Sequence, residues 1–455
     1  MFKCRLLILA LKTPTAKSKL RSQLTGDLLL KSVRASFTKV PDHRAANCSY
    51  SLPDIITSCY SIFALKSSSM LAHESFINRK SIKNNFATIF GMEKVPSDTQ
   101  MRTVLDEVET KSLQAGFVDT LGLAQKAGLL DDYKFLGEDI ILSIDGTGFF
   151  CSNSVKCEHC QIKKRKGGKE YSHSMFSAVI VHPDKKQVLP IAPEPIVKQD
   201  GVKKNDHELK AAERLLRRFK QEYPNLKVTF VADGLFSKAP MVKLAQELSF
   251  NFIIGAKPKD HKYLFECFNK KLPFAGIDQL MGSKEPIVEQ VTIEKNGITH
   301  IFRFANDMSL NMSNDDVKVG FIEYTEISKK GTKHFSWVTN HKITKKNVFK
   351  LMKAARARWK IENETFNTLK NQGYNFEHNY GHGYQNLSNN MAMLMMHAFL
   401  VDQIQEICCK IFQQIRDSAG SRKSMWEAIR SFFSVLPVNS WAALLLLVLA
   451  EYPTQ

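Results

Sequence analysis

Acidic residues are scarce in this chain. Of 455 residues only 45 are Asp or Glu against 64 Lys or Arg, a formal charge of +19 with a pI near 9.4. Such an excess implies a polyanionic partner, either nucleic acid or an acidic membrane surface. Long apolar runs are missing as well. The longest, AALLLLVLA from Ala442 to Ala450, is about half of a transmembrane span. The LLILAL run near the start is too short for a signal-peptide core, so neither membrane insertion nor export is expected. A paired cysteine framework is absent too: nine cysteines, an odd number at irregular spacing, suit a reducing cytoplasm. No repeat with a period of 20 to 50 residues is visible, and no clean helix-turn-helix. Nucleic acid remains as the expected partner, with an affinity that falls steeply as salt rises.

A hydrophobic content of 44% and this length allow two or three domains with proper cores. Up to about residue 135 the pattern is helical with many breaks. Within it VPSDTQMRTVLDEVE reads as a loop, a cap at Ser97 or Asp98, and a helix through Met101 and Leu105. From 139 the texture changes. DIILSID is an apolar run ending at Asp145-Gly146, and SMFSAVIVHP (174–183) and QVLPIAPEPIV (187–197) follow as an antiparallel pair around a DKK turn. An amphipathic helix over 206–222 comes next, with Leu209, Ala212, Leu215, Leu216 and Phe219 opposite Arg214, Arg218 and Lys220. KVTFVADG is a buried-type strand ending at Asp233, followed by the helix APMVKLAQELS and the strand FNFIIGAKP. Residues 261–343 are mainly β. A long helix then begins near Thr344 and carries ARWKIENETFNTLK (357–370). Beyond it, NNMAMLMMHAFLVDQIQEICCKIF is an apolar helix whose methionines read as core filler.

This βββαβαβ-α order is that of an α/β, ribonuclease H-like core with a β-rich insertion, preceded by a helical N-terminal domain and followed by C-terminal helices. Chemistry in such sheets gathers at strand ends. Asp145 closes the first strand of the series, Asp233 closes the fourth, and Glu362 sits on the helix after the insertion. Three carboxylates from those places suit a pair of Mg²⁺ ions, which prefer oxygen ligands and keep positions open for water and phosphate. Taken singly, Asp-Gly after an apolar run is a turn signal and Glu362 beside Arg358 is a surface ion pair. The three together, on the correct elements, favour the metal reading.

In these features the chain resembles the DDE transposases of bacterial insertion sequences. It is most like the group with a β-strand insertion before the catalytic Glu and a Tyr-Arg-Glu-Lys signature around it. RWKIE fits the Arg-Trp-x-Ile-Glu core of that signature. The resemblance implies Asp145, Asp233 and Glu362 as catalytic metal ligands for two Mg²⁺, with Mn²⁺ as a substitute. It further implies Arg358, Trp359 and Lys370 as DNA contacts, and Trp337 in HFSWVTN as a platform for a flipped base, against a core aromatic as the plainer reading. Two positions depart from the signature. Its Tyr falls on Ala355, and Lys370 comes one residue late, which on an ideal helix turns it about 80° from Glu362. Glu364 is the fallback acid.

The implied organisation is a DNA-binding helical region (1–135), a catalytic core in two parts (136–260 and 344–385), the insertion (261–343) and C-terminal helices (386–455). The implied function is metal-dependent cleavage at element ends and strand transfer into target DNA. It would act on terminal inverted repeats as a homodimer in a bacterial cytoplasm, associated with the nucleoid. A nuclease without strand transfer, or a DNA-binding protein that has lost catalysis, are the alternatives. Cys157-Glu-His-Cys160, with Cys151 upstream and His173 downstream, is a weak zinc signal inside a Lys-rich loop, KKRKGGK, whose expected use is phosphate contact. His378 and His382 in EHNYGHG are either helpers near the catalytic metals or ordinary loop histidines, the second being favoured.

Overall fold

The apolar run at 139 forms a strand because it has β-branched residues on both faces and a sheet to bury them in. In the computed structural model, which describes residues 20–77, 80–166, 168–198, 204–269 and 287–452, this central strand extends well past the aspartate, from Asp139 to Ser152. In chain order the strands are β1 (Lys134–Leu136), β2 (Asp139–Ser152), β3 (Gln161–Arg165), β4 (Gly168–Val181), β5 (Leu189–Pro190) and β6 (Glu194–Ile196). Then come β7 (Val228–Ala232), β8 (Asn251–Gly255), β9 (Glu289–Lys295), β10 (Ile298–Ser309), β11 (Lys318–Ser328) and β12 (Gly331–Thr339). Among the described residues they make one mixed sheet in the order β3-β4-β2-β7-β8-β12-β11-β10-β9, with β1 beside β2 and β5 and β6 beside β4.

β2, β7 and β8 are parallel, and the connections before β7 and β8 run through the helices Lys204–Glu222 and Ala239–Glu247. The helix Lys204–Glu222 buries Ala212, Leu215, Leu216 and Phe219 on the face its periodicity predicts. Its cations are not all free: Arg214 and Arg218 both pair with Glu194 on β6. The β-rich insertion does not stand apart as a separate layer. β12 pairs antiparallel with β8, Trp337 opposite Gly255 and Thr339 opposite Ile253, so the insertion extends the same sheet.

Three local expectations need correcting. QVLPIAPEPIV is two short strands rather than one, because Pro190, Pro193 and Pro195 cannot donate to a ladder. KKRKGGK is no loop: its first residues lie in β3, and Arg165 pairs with Gly168 to close a hairpin. The long helix from Thr344 is irregular. It runs as an α-helix over Val348–Arg356, turns at Ala357-Arg358, continues as a π-helix over Ile361–Phe366 and ends in α-helical form at Asn367–Asn371.

The N-terminal helices pack with the C-terminal ones. The Leu52–Ala64 helix lies against Leu387–Cys408, whose Met391, Met393, Met395 and Met396 are buried, as the core reading expects. Asp27 caps the Trp441–Ala450 helix by accepting from Trp441 N at 2.6 Å and Ala442 N at 3.0 Å. Wholly buried Lys66 pairs with Asp402 at 2.6 Å, and Tyr374 also donates to that carboxylate. Ser97 caps the Asp98–Glu107 helix, which buries Met101 and Leu105. Among the described residues no helix is long and apolar enough to cross a membrane. The LLILAL run lies outside the described residues.

Candidate active site

Parallel pairing decides where the first two acids meet. β2 and β7 run in register from Ile140 opposite Val228 to Ser143 opposite Val231. The pairing stops there; Asp145 follows two residues later within β2, and Asp233 is the first residue after β7, the neighbouring strand. Both then lie at the C-terminal edge of the parallel strands. Asp233 accepts from Leu235 N at 2.9 Å, capping the short turn of helix at Gly234–Phe236. That turn brings Gly234 against Gly255 of β8, where an added Cβ would stand 3.4 Å from the Gly255 carbonyl.

The third acid arrives from the irregular helix. Successive side chains alternate along a strand, so Ser143 and Asp145 share one face. Ser143 Oγ donates to the Arg358 carbonyl at 2.9 Å, which pins the turn before the π-helix over that face. Arg358 then reaches both carboxylates, 3.3 Å from Asp145 Oδ2 and 2.7 Å from Glu362 Oε1. Burial pushes the Asp145 carboxyl up to about 7; Arg358 and the Gly146 N–H oppose the rise, and the Asp233 and Glu362 carboxylates add to it. Arg358 is thus turned onto the acids in this structure, rather than outward. Its guanidinium also lies 5.3 Å from the Trp359 ring, which is 49% exposed.

The π-helix changes where Lys370 points. Asn367 N bonds back to the Glu362 carbonyl, five residues away, so this turn holds one residue more than an α turn. The late residue that would rotate Lys370 away is absorbed there, returning it to within about 20° of the Glu362 face. Its ammonium is 2.7 Å from Glu377 Oε1. Glu364 acts electrostatically on Lys360, whose amine bonds to the Lys185 carbonyl. Ala355 is buried in the wall of a cleft of about 550 Å³ that also includes Asp233, Lys257, Trp337, Arg358 and Trp359. Trp337 belongs to an aromatic ladder, 5.7 Å from Phe335 and 6.2 Å from Tyr324, and is only 7% exposed.

Sequence reasoning passed over two groups near the acids. Glu208, on the Lys204–Glu222 helix, comes so close to Gly146 that a Cβ there would meet its carboxyl carbon at 3.1 Å. Lys257 lies just after the end of β8 and lines the hollows on both sides of Asp233; its place after a strand end was the available signal. Conversely, His378 packs on Tyr380 and His382 on Phe150, neither at the carboxylates. Cys151 is exposed on β2 and stands outside the group of Cys157, Cys160 and His173.

Residues 137–400 match the family described as Transposase DDE domain. The chain belongs to the DDE transposase family. Its DDE domain therefore contains β2 through most of the Leu387–Cys408 helix, the acids included. Among solved structures, one titled as the cryo-EM structure of a piggyBac transposase synaptic complex with hairpin DNA is similar, at a TM-score of 0.36 and 13% identity. That likeness covers 96% of this chain and 82% of the other. No curated protein matches.

Proposed function

We propose that the chain is a transposase of a bacterial insertion sequence that cuts DNA at the element's ends and joins them to target DNA, with Asp145, Asp233 and Glu362 holding the catalytic metals. The observation that supports this is the placement of the three acids: Asp145 and Asp233 just past the paired stretch of adjacent parallel strands, and Glu362 joined to Asp145 through Arg358. The strand order supports a ribonuclease H-like core, since β4, β2, β7 and β8 lie side by side with β5 and β6 beyond β4.

The donor set fits a hard divalent ion. All three groups are carboxylates, and burial with two acidic neighbours disfavours the charged form of Asp145, a cost that a bound cation would offset. Two Mg²⁺, or Mn²⁺ in their place, would supply an activated attacking oxygen and a stabilised leaving oxygen at phosphorus. The chain's own part is placement. Arg358 holds the acids together through its positive charge and is near enough to the cleft to take a strand phosphate instead. Trp359 offers an exposed ring for a base, Lys257 offers an ammonium group, and Lys370 would exchange Glu377 for a backbone phosphate. Trp337 is assigned to support of the cleft wall. The element's terminal inverted repeats would be read by the N-terminal helices of the helical assembly, and two copies would hold the two ends.

The test is cleavage of end-containing duplex DNA with Mg²⁺. Asp145→Asn is expected to lose cleavage while retaining DNA binding in a mobility-shift assay. Full cleavage by that variant would refute the assignment. A 3′-OH donor substrate separates strand transfer from simple hydrolysis, and hydrolysis alone would make the protein a nuclease.

A further inference from the structure

Away from the acids, four soft donors converge at the base of the β3–β4 hairpin. Cys157 and Cys160 come from the loop entering β3, His173 from β4, and His382 from the segment after the π-helix. Their donor atoms all lie within 4.8 Å of one another. Cys157 Sγ is 3.9 Å from Cys160 Sγ and 3.2 Å from His173 Nε2. Cys160 Sγ is 3.4 Å from His173 Nε2 and 3.5 Å from His382 Nε2. A tetrahedron with Zn–S near 2.3 Å and Zn–N near 2.0 Å has an S–S edge of about 3.8 Å and S–N edges of about 3.5 Å. The four edges given lie within about 0.3 Å of those values, and the remaining two are within 4.8 Å.

We propose that Cys157, Cys160, His173 and His382 form a structural zinc site, separate from the carboxylate site. Two thiolates with two imidazoles select Zn²⁺ over the hard ions that suit the acids. Four protein donors leave no position for water or substrate, which marks the site as structural. Cys160, His173 and His382 are buried, with the rings of Phe149 and Phe150 against the two histidines, so the ion is shielded from solvent.

Its consequence follows from what it joins. His382 lies in the segment held by Asp106, which accepts from Tyr384 N at 2.8 Å and Leu387 N at 2.8 Å. The cysteines lie at the foot of the hairpin that carries the exposed cations Lys163, Lys164, Lys166 and Lys169. A bound ion therefore fixes that basic hairpin against the chain just after the π-helix. The inference is independent of how the acids act.

Metal content of the full-length protein, purified without chelator and then equilibrated with Zn²⁺, tests it by mass spectrometry. One zinc per chain is expected in the native protein, in Cys151→Ala and in Asp145→Asn, and a loss of at least most of it in Cys160→Ala and His382→Ala. Because those two variants can fail to fold, Co²⁺ is also loaded into the metal-stripped native chain. Intense visible bands of tetrahedral cobalt with a thiolate charge-transfer band are the expected spectrum. A native chain that takes up no zinc, or a weak octahedral cobalt spectrum, would overturn the proposal. So would full zinc retention by both His382→Ala and Cys160→Ala.

Discussion

Two tryptophans show how much burial decides at the scale of single residues. Trp337 and Trp359 both line the cleft beside Asp233, yet one is stacked inside an aromatic ladder and the other is half exposed next to Arg358. Truncating a large buried aromatic costs about 3–5 kcal/mol. Trp337→Ala is therefore expected to lower the denaturation midpoint strongly, whereas Trp359→Ala should leave stability nearly intact. The latter should instead weaken DNA binding by about 1–3 kcal/mol, the value of one base stacked on an aromatic ring. Equilibrium unfolding and a binding titration on the two variants separate the roles, and a reversed pattern would exchange them. Nothing in the spacing of HFSWVTN or RWKIE distinguishes the two rings, because exposure depends on which strands lie alongside.

At the scale of elements the π-helix is the informative feature. Counting along an ideal helix sets Lys370 off the Glu362 face, and only the five-residue hydrogen bond from Asn367 to Glu362 corrects it. An extra residue accommodated in this way is removable. Deleting exposed Asn363 is expected to convert the segment to regular α-helix and leave the denaturation midpoint nearly unchanged, the π turn being the rarer form. Metal-dependent cleavage should persist. Deleting exposed Lys350 from the regular Val348–Arg356 helix should rotate everything before Arg358 and abolish both fold and activity. Equal damage from the two deletions would show that the π turn absorbs nothing.

For the whole molecule, the packing joins the N-terminal and C-terminal helices of the described residues. Helices from 26–126 and from 387–450 share a core, and the Lys66–Asp402 pair is buried within it. Burial draws the Lys66 amine down to about 8, while the Asp402 carboxylate opposes that shift. Removing one partner strands the other, which costs about 3–5 kcal/mol. Asp402→Ala is expected to destabilise the entire protein by that amount in urea unfolding. Adding Lys66→Met should recover much of it, since an apolar pair of similar volume needs no compensation. Failure of the second change to help would mean that the pair is not what the core depends on.

Much of this was legible from residues alone. Apolar runs leading into Asp145 and Asp233, the RWKIE helix and the amphipathic helix of the α/β pattern are local signals, because periodicity and chain order set them, although β2 continues past Asp145 to Ser152. That is also why the acids could be proposed from chain order and a polyanionic partner from charge. Pairing was not legible. The parallel register that sets β2 beside β7 depends on pairing between distant segments, and the extension of the sheet by the insertion depends on β12 meeting β8. The cysteine pair looked incomplete because its fourth donor, His382, lies beyond the whole insertion, and only folding brings it back to β4. Chain order thus determined which residues are candidates for the chemistry, while the tertiary structure decided which of them meet. Contacts between segments distant in sequence arise from sheet register and core packing, and neither leaves a local trace.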